Sequence, residues 1–189
     1  MTNWNHIRKG DHRAFSCLYN DYADLLFAYG MKIVPDECLI YECIQDLFVY
    51  VFEARTRISE PVSMRAYLCV ALKRIILKSV YRNKQKNEVG WDDIKQEAYS
   101  FELEIDIEEA IIKSEMQREE LYNLQQALND LSPQQREVIY LKYNKNCTNE
   151  EISEILGVSN QIVRNVSSRA LIKLRKFGNI RMILVCAIV

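Results

Sequence analysis

Only 5 glycines and 3 prolines interrupt 189 residues. A chain of β-hairpins needs turn residues every few positions, whereas helices need them only at their ends. Apolar residues also recur at steps of three and four, the spacing that lines one face of a helix. After Asp11, which can cap a start, the stripe is Phe15, Leu18, Tyr19, Tyr22, Leu25, Leu26, Tyr29 and Ile33. Pro35-Asp36 breaks it and opens a second helix to about Ala54, striped by Ile40, Ile44, Leu47, Phe48, Val51 and Phe52. Glu60-Pro61 marks a loop, because the residue before proline resists the α region. A third helix is predicted from about Ser63 to Arg82, with Tyr67, Leu68, Leu72, Ile75 and Ile76 apolar. The chain reads as all-α.

Its last third carries the sharpest local signals. Ser132-Pro133-Gln134-Gln135 is a capping box with proline at the first helical position, and Val138, Ile139 and Leu141 follow. Thr148-Asn149-Glu150-Glu151 is a second capping box, opening a short helix with Ile152, Ile155 and Leu156. Gly157 ends that helix where a left-handed residue is required, and Ser159 caps the next. Two helices joined by so short a turn read as a helix-turn-helix. If Val163, Val166, Ala170 and Leu174 face inward, then Gln161, Arg164, Asn165 and Ser168 share the outer face. Arg, Asn and Gln are the side chains that pair with base edges in the major groove. Arg169, Lys173, Arg175, Lys176 and Arg181 add charge, and residues 160–189 contain no acid. Such a surface suits phosphates.

The total charge hides this. The chain holds 25 basic and 26 acidic side chains, a net of −1. Residues 1–85 carry 12 basic and 9 acidic groups, residues 86–131 carry 4 and 13, and residues 132–189 carry 9 and 4. Two basic ends therefore flank an acidic middle, which points to separate tasks along the chain. The expected layout is two small helical domains, 1–86 and 118–189, joined by an acidic linker over 87–117 whose later part turns helical. In the first domain, Pro61 to Asn87 is acid-free and contains Arg65, Lys73, Arg74, Lys78, Arg82, Lys84 and Lys86. Tyr67 and Tyr81 are interleaved there; aromatic rings can stack on unpaired bases, although tyrosines at helical spacing more often belong to a core.

Other classes find little support. A hydrophobic content of 49% with 27% charged residues is that of a folded globular chain. The stretch Met1 to His12 is polar and unlike an export signal. The apolar run Met182 to Val189 is far shorter than the roughly 20 residues of a membrane span, so a docked terminal segment and a cytoplasmic, non-integral protein are expected. Cys17, Cys38, Cys43, Cys69, Cys147 and Cys186 form no C-x-x-C pair, and His6 and His12 have no ligand-like spacing. The cysteines are expected as small buried hydrophobes, with no metal and no cofactor. No phosphate loop and no Ser/His/Asp arrangement is visible, so an enzyme is the weakest reading.

At this point two blocks resemble a known family. The first is Ala14-Phe15, Leu18-Tyr19 and Tyr22, then Glu42-Cys43-Ile44-Gln45-Asp46-Leu47-Phe48, then Tyr67-Leu68. The second is Ala127-Leu128, Leu131 through Val138, Glu151 through Ser159, Val163-Arg164-Asn165 and Ser168-Arg169-Ala170-Leu171. In this order, joined by an acidic stretch, they resemble an extracytoplasmic-function sigma factor of bacterial RNA polymerase over roughly residues 10–177.

The resemblance implies an initiation subunit rather than an enzyme. It assigns Glu42, Gln45 and Asp46 to the clamp of core RNA polymerase. It assigns Arg65, Tyr67, Lys73, Arg74, Lys78 and Arg82 to reading and opening the minus-ten element of promoter DNA. Thr148, Ser159, Gln161, Arg164, Asn165, Ser168, Arg169 and Lys173 fall to the minus-thirty-five element, and an anti-sigma factor is an implied partner. Several positions depart from the family pattern. Phe52 stands for a usual Trp, Arg74 for Asn, Lys78 for Asp, Ile162 for Thr and Asn146 for Gly. The changes at Arg74 and Lys78 make their helix more basic. The alternatives are an autonomous helix-turn-helix regulator, which would normally need a dimer, and a helical interaction module that sequesters a regulator.

Overall fold

The computed structural model describes residues 4–85, 100–103 and 115–175, and all of its regular structure there is helical. The chain divides into two compact units, residues 1–100 and 101–189.

The first unit is a bundle of α2 (His12–Ile33), α3 (Glu37–Ala54) and α4 (Met64–Gln85), preceded by a short α1 (Trp4–Arg8). Asp11 caps α2, its carboxylate accepting from the Arg13 and Ala14 amides, and Asp36 caps α3 by accepting from Leu39 N–H. Ser63 does the same for α4 through Ala66 N–H, so each long helix starts at an oxygen visible in the sequence. Helices α2, α3 and α4 all pack on one another, burying Leu18, Leu26, Ile33, Ile40, Leu47, Val51, Leu68, Leu72 and Ile76. Each such aliphatic side chain contributes roughly 1.5–3 kcal/mol when fully buried. At Gly30 the helices meet so closely that a Cβ would stand 2.9 Å from Ile40 Cγ2, which explains a glycine inside a helix.

The polar amino terminus gives no sign of helix α1. Its Trp4 and Ile7 are buried, one turn apart, and these two side chains hold it down. The cysteines also divide. Cys43, Cys69 and Cys147 are buried as expected, whereas Cys17 and Cys38 are exposed, because they lie on the outer faces of α2 and α3. Cys186 and the apolar run 182–189 lie outside the described residues.

The second unit contains α5 (Glu115–Asn129), α6 (Pro133–Ile139), a π-helical turn (Tyr140–Asn144), α7 (Asn149–Leu156) and α8 (Asn160–Leu174). Within the stretch assigned to the linker, Phe101 and Leu103 are buried in this unit. The Phe101 ring lies 5.5 Å from that of Tyr140, and Gln125 Nε2 donates to the Leu103 carbonyl. They open an alternation of apolar and acidic residues from Phe101 to Ile107, a period that belongs to a strand and not to a helix, and charge counting alone assigns the stretch to a linker. Most of the remaining acidic stretch lies outside the described residues.

Candidate nucleic-acid interface

Both predicted capping boxes form. The Ser132 hydroxyl accepts from Gln135 N–H while the Gln135 side chain accepts from Ser132 N–H, and Thr148 and Glu151 repeat the arrangement. At the end of α7, Gly157 takes φ +66°, and Val158 N–H reaches the Ser153 carbonyl at 3.1 Å. The Ser153 hydroxyl then donates to the Val158 carbonyl at 2.8 Å, closing the turn from the other side. Ser159 accepts from Ile162 N–H and launches α8. Thr148 and Ser159 thus use their oxygens as caps, so their place at the interface is to set where the two helices begin.

Helix α8 packs against α5, α6 and α7 through Val163, Ser167, Ala170 and Leu174. The inward line differs by one position from expectation: Ser167 is buried, while Val166 is only half-buried. The steps of four, three and four from Val163 reach 167, 170 and 174, and a serine in a core stripe is not legible as apolar. The outer face is as predicted. Gln161, Arg164, Asn165, Ser168, Arg169 and Lys173 are all exposed. Ile162 and Ile172 are exposed beside them, apolar groups that the charge pattern concealed.

Three of these polar side chains already have partners. Gln161 Nε2 donates to Asn165 Oδ1 at 3.1 Å, one helical turn along the surface. Lys173 Nζ donates to the Asp130 carbonyl at 3.1 Å and reaches Gln135 Oε1 at 3.4 Å. That lysine therefore ties α8 to the end of α5 and to the capping box of α6. Arg175 is exposed just past the helix, and Lys176 and Arg181 lie outside the described residues.

In the first unit, Glu42, Gln45 and Asp46 are exposed on α3. Gln45 borders a groove along the α2–α3 seam whose walls include Phe15, Tyr19, Phe48, Val49 and Phe52. The rings there interlock, with Phe15 5.1 Å from Phe52 and Tyr19 4.8 Å from Phe48. Inward from the acids, Cys43 is buried and its thiol is pushed up, first by desolvation and then by the Asp46 and Glu42 charges, against a lowering contact with Ser79. It is a packing group rather than a nucleophile.

Helix α4 separates the predicted basic residues into two sets. Arg74, Lys78 and Arg82 are exposed at steps of four, a row in which successive positions are about 6 Å apart along the axis. Arg65 and Lys73 are half-buried, and neither is without a partner. Tyr67 is half-buried too, its hydroxyl pushed up by desolvation and by nearby Tyr50. Tyr81 is buried, a core residue and not a platform for stacked bases. Among the described residues no group of three His, Cys, Asp or Glu side chains could hold a metal ion, and no helix is long and apolar enough to cross a membrane.

Residues 127–176 match the family sigma-70, region 4. Solved structures share the fold of the chain. CnrH, solved in complex with the cytosolic domain of CnrY, aligns with a TM-score of 0.57 and 22% identity over 92% of this chain and 92% of its own. The sigma factor RpoE of Bartonella quintana, crystallised with the anti-sigma factor NepR, aligns with a TM-score of 0.57 and 17% identity. That alignment covers 86% of this chain and 95% of the other. No curated protein matches the sequence.

Proposed function

We propose that this chain, which matches sigma-70 region 4 over residues 127–176 and shares its fold with the sigma factor RpoE, is an extracytoplasmic-function sigma factor that directs promoter-specific initiation by bacterial RNA polymerase. The observation that carries the reading is the helix-turn-helix of α7 and α8. It lies inside the residues matched to region 4 and presents an acid-free face of Gln161, Arg164, Asn165, Ser168 and Arg169. Those side chains suit the major groove of a minus-thirty-five element.

The first unit takes the other tasks. Exposed Glu42, Gln45 and Asp46, beside the aromatic groove, suit a basic and partly apolar surface on the polymerase clamp. The row Arg74, Lys78 and Arg82 suits the backbone of the minus-ten element during opening, with half-buried Arg65, Tyr67 and Lys73 shaping the helix surface around it. In this reading the domains are 1–86 and 118–189, with the acidic stretch between them joining the two tasks. The protein is a binding subunit without catalysis or cofactor, acts in the cytoplasm, and is held in check by an anti-sigma factor, as the complex of RpoE with NepR illustrates for that protein.

Transcription from a cognate promoter with core polymerase tests the reading. The wild-type chain should support initiation, and Asp46→Arg should abolish it while leaving the helical content intact. A chain that recovers no core polymerase, with Asp46→Arg silent, would sink the proposal.

A further inference from the structure

We infer that Gln161 and Asn165 act as one recognition element, in which Asn165 orients the Gln161 amide to read the adenine of a single A·T pair in the major groove. The inference rests on the reading of α8 as the minus-thirty-five helix and extends it to base identity.

The two residues are four apart, so their side chains stand over one another on the exposed face of α8. Their hydrogen bond of 3.1 Å uses one of the two Gln161 amide protons and one lone pair of Asn165 Oδ1. It leaves on Gln161 a carbonyl oxygen and one N–H, side by side. That is the pair of groups adenine requires: the oxygen accepts from N6–H and the N–H donates to N7. Guanine offers two acceptors on the same edge and cannot satisfy the amide oxygen.

A free glutamine has several rotatable bonds and loses that freedom when it binds. Holding the amide before contact reduces this loss, so the pair should discriminate more sharply than an isolated glutamine. Arg164 lies on the same face with no bond to either amide among the described contacts, and its guanidinium suits guanine at a different position.

The roles of the two amides differ in a way that substitution can separate. Asn165→Asp keeps the acceptor for Gln161 and loses the donors, whereas Asn165→Ala loses both. The experiment uses the full chain with core polymerase on promoters whose upstream element is randomised, and reads the base preference by sequencing the transcribed templates. Wild type should prefer A·T at one position by about 5- to 150-fold. Gln161→Ala should erase that preference, Asn165→Ala should reduce it at the same position, and Asn165→Asp should retain it with weaker overall binding near phosphates. Arg164→Ala should alter another position only.

If Gln161→Ala and Asn165→Ala change two different positions, or Asn165→Asp creates a preference for cytosine at a position of its own, the amides read separate bases and the inference fails while the minus-thirty-five assignment stands. If wild type shows no base preference anywhere in the upstream element, the assignment itself fails and the inference with it.

Discussion

Lys173 shows how far a charged side chain can be from a spare one. Charge counting places it with the DNA-facing cations, yet its ammonium is engaged by the Asp130 carbonyl and by Gln135. A charge-assisted bond of this kind contributes about 1 kcal/mol or somewhat more. Lys173→Ala should therefore lower the melting temperature of the second unit by several degrees, seen by calorimetry. Its slope of log affinity against log salt should stay at the wild-type value. Arg169→Ala should do the reverse, leaving stability alone and reducing the slope by about 0.9, the loss of one phosphate contact. Asp11 gives a second test at this scale. Hydrogen bonds from the Arg13 and Ala14 amides, helped by His6, hold its carboxyl below the usual value of 3.8. A depressed carboxyl stabilises the folded state above its unfolded pKa, and the contribution disappears as pH falls through the lower folded value. Amide exchange at the start of α2 should be insensitive to this group near neutrality and accelerate only in the acid range below about pH 4. An asparagine caps without titrating, so Asp11→Asn should remove that acid limb.

The geometry of whole elements is written mainly at their ends. Asp11, Ser132, Thr148, Ser159 and Gly157 act as caps or stops at the positions read from sequence, and Asp36 and Ser63 cap helices whose approximate starts are read there, because capping needs one side-chain oxygen or one flexible backbone at a fixed offset. Features without such a local signal escape. Helix α1 depends on two buried apolar side chains, Phe101 and Leu103 on a docking site formed by other elements, and Ser167 is a polar residue buried in the inward stripe of α8. The candidate interface divides the same way: its exposed face and the four-residue spacing of Gln161 and Asn165 follow from periodicity, while the engagement of Lys173 depends on residues distant in sequence. The turn at Gly157 gives the element-scale prediction. A Cβ there would meet nothing within 4 Å, so Gly157→Ala costs only the left-handed backbone, about 1–2 kcal/mol. Gly157→Asn should cost less than the alanine change, because asparagine tolerates that backbone better. Thr148→Ala should cost about 1 kcal/mol by loss of its cap. Denaturant unfolding should rank the wild type as most stable, the Gly157→Asn variant next and the Gly157→Ala variant last.

At the scale of the molecule, a net charge of −1 conceals two basic ends around an acidic middle. The acid-free faces of α4 and α8 belong to different units, and under the proposed function each meets a different physical barrier in initiation. Recognition by α8 needs only an intact major groove. Opening, assigned to the row Arg74, Lys78 and Arg82, must offset the few kcal/mol of unstacking each extruded base requires. A template already mismatched across the minus-ten element supplies that energy in advance. Variants of the α4 row, such as Lys78→Ala with Arg82→Ala, should therefore initiate poorly on duplex promoters and recover on the premelted template. Arg164→Ala, which weakens recruitment instead, should be defective on both. The sign of the recovery decides the assignment. If premelting rescues the α8 variant and leaves the α4 variant impaired, the two basic faces have exchanged roles. If it rescues neither, the α4 row holds duplex DNA rather than opening it, and the energy for melting enters from elsewhere in the polymerase.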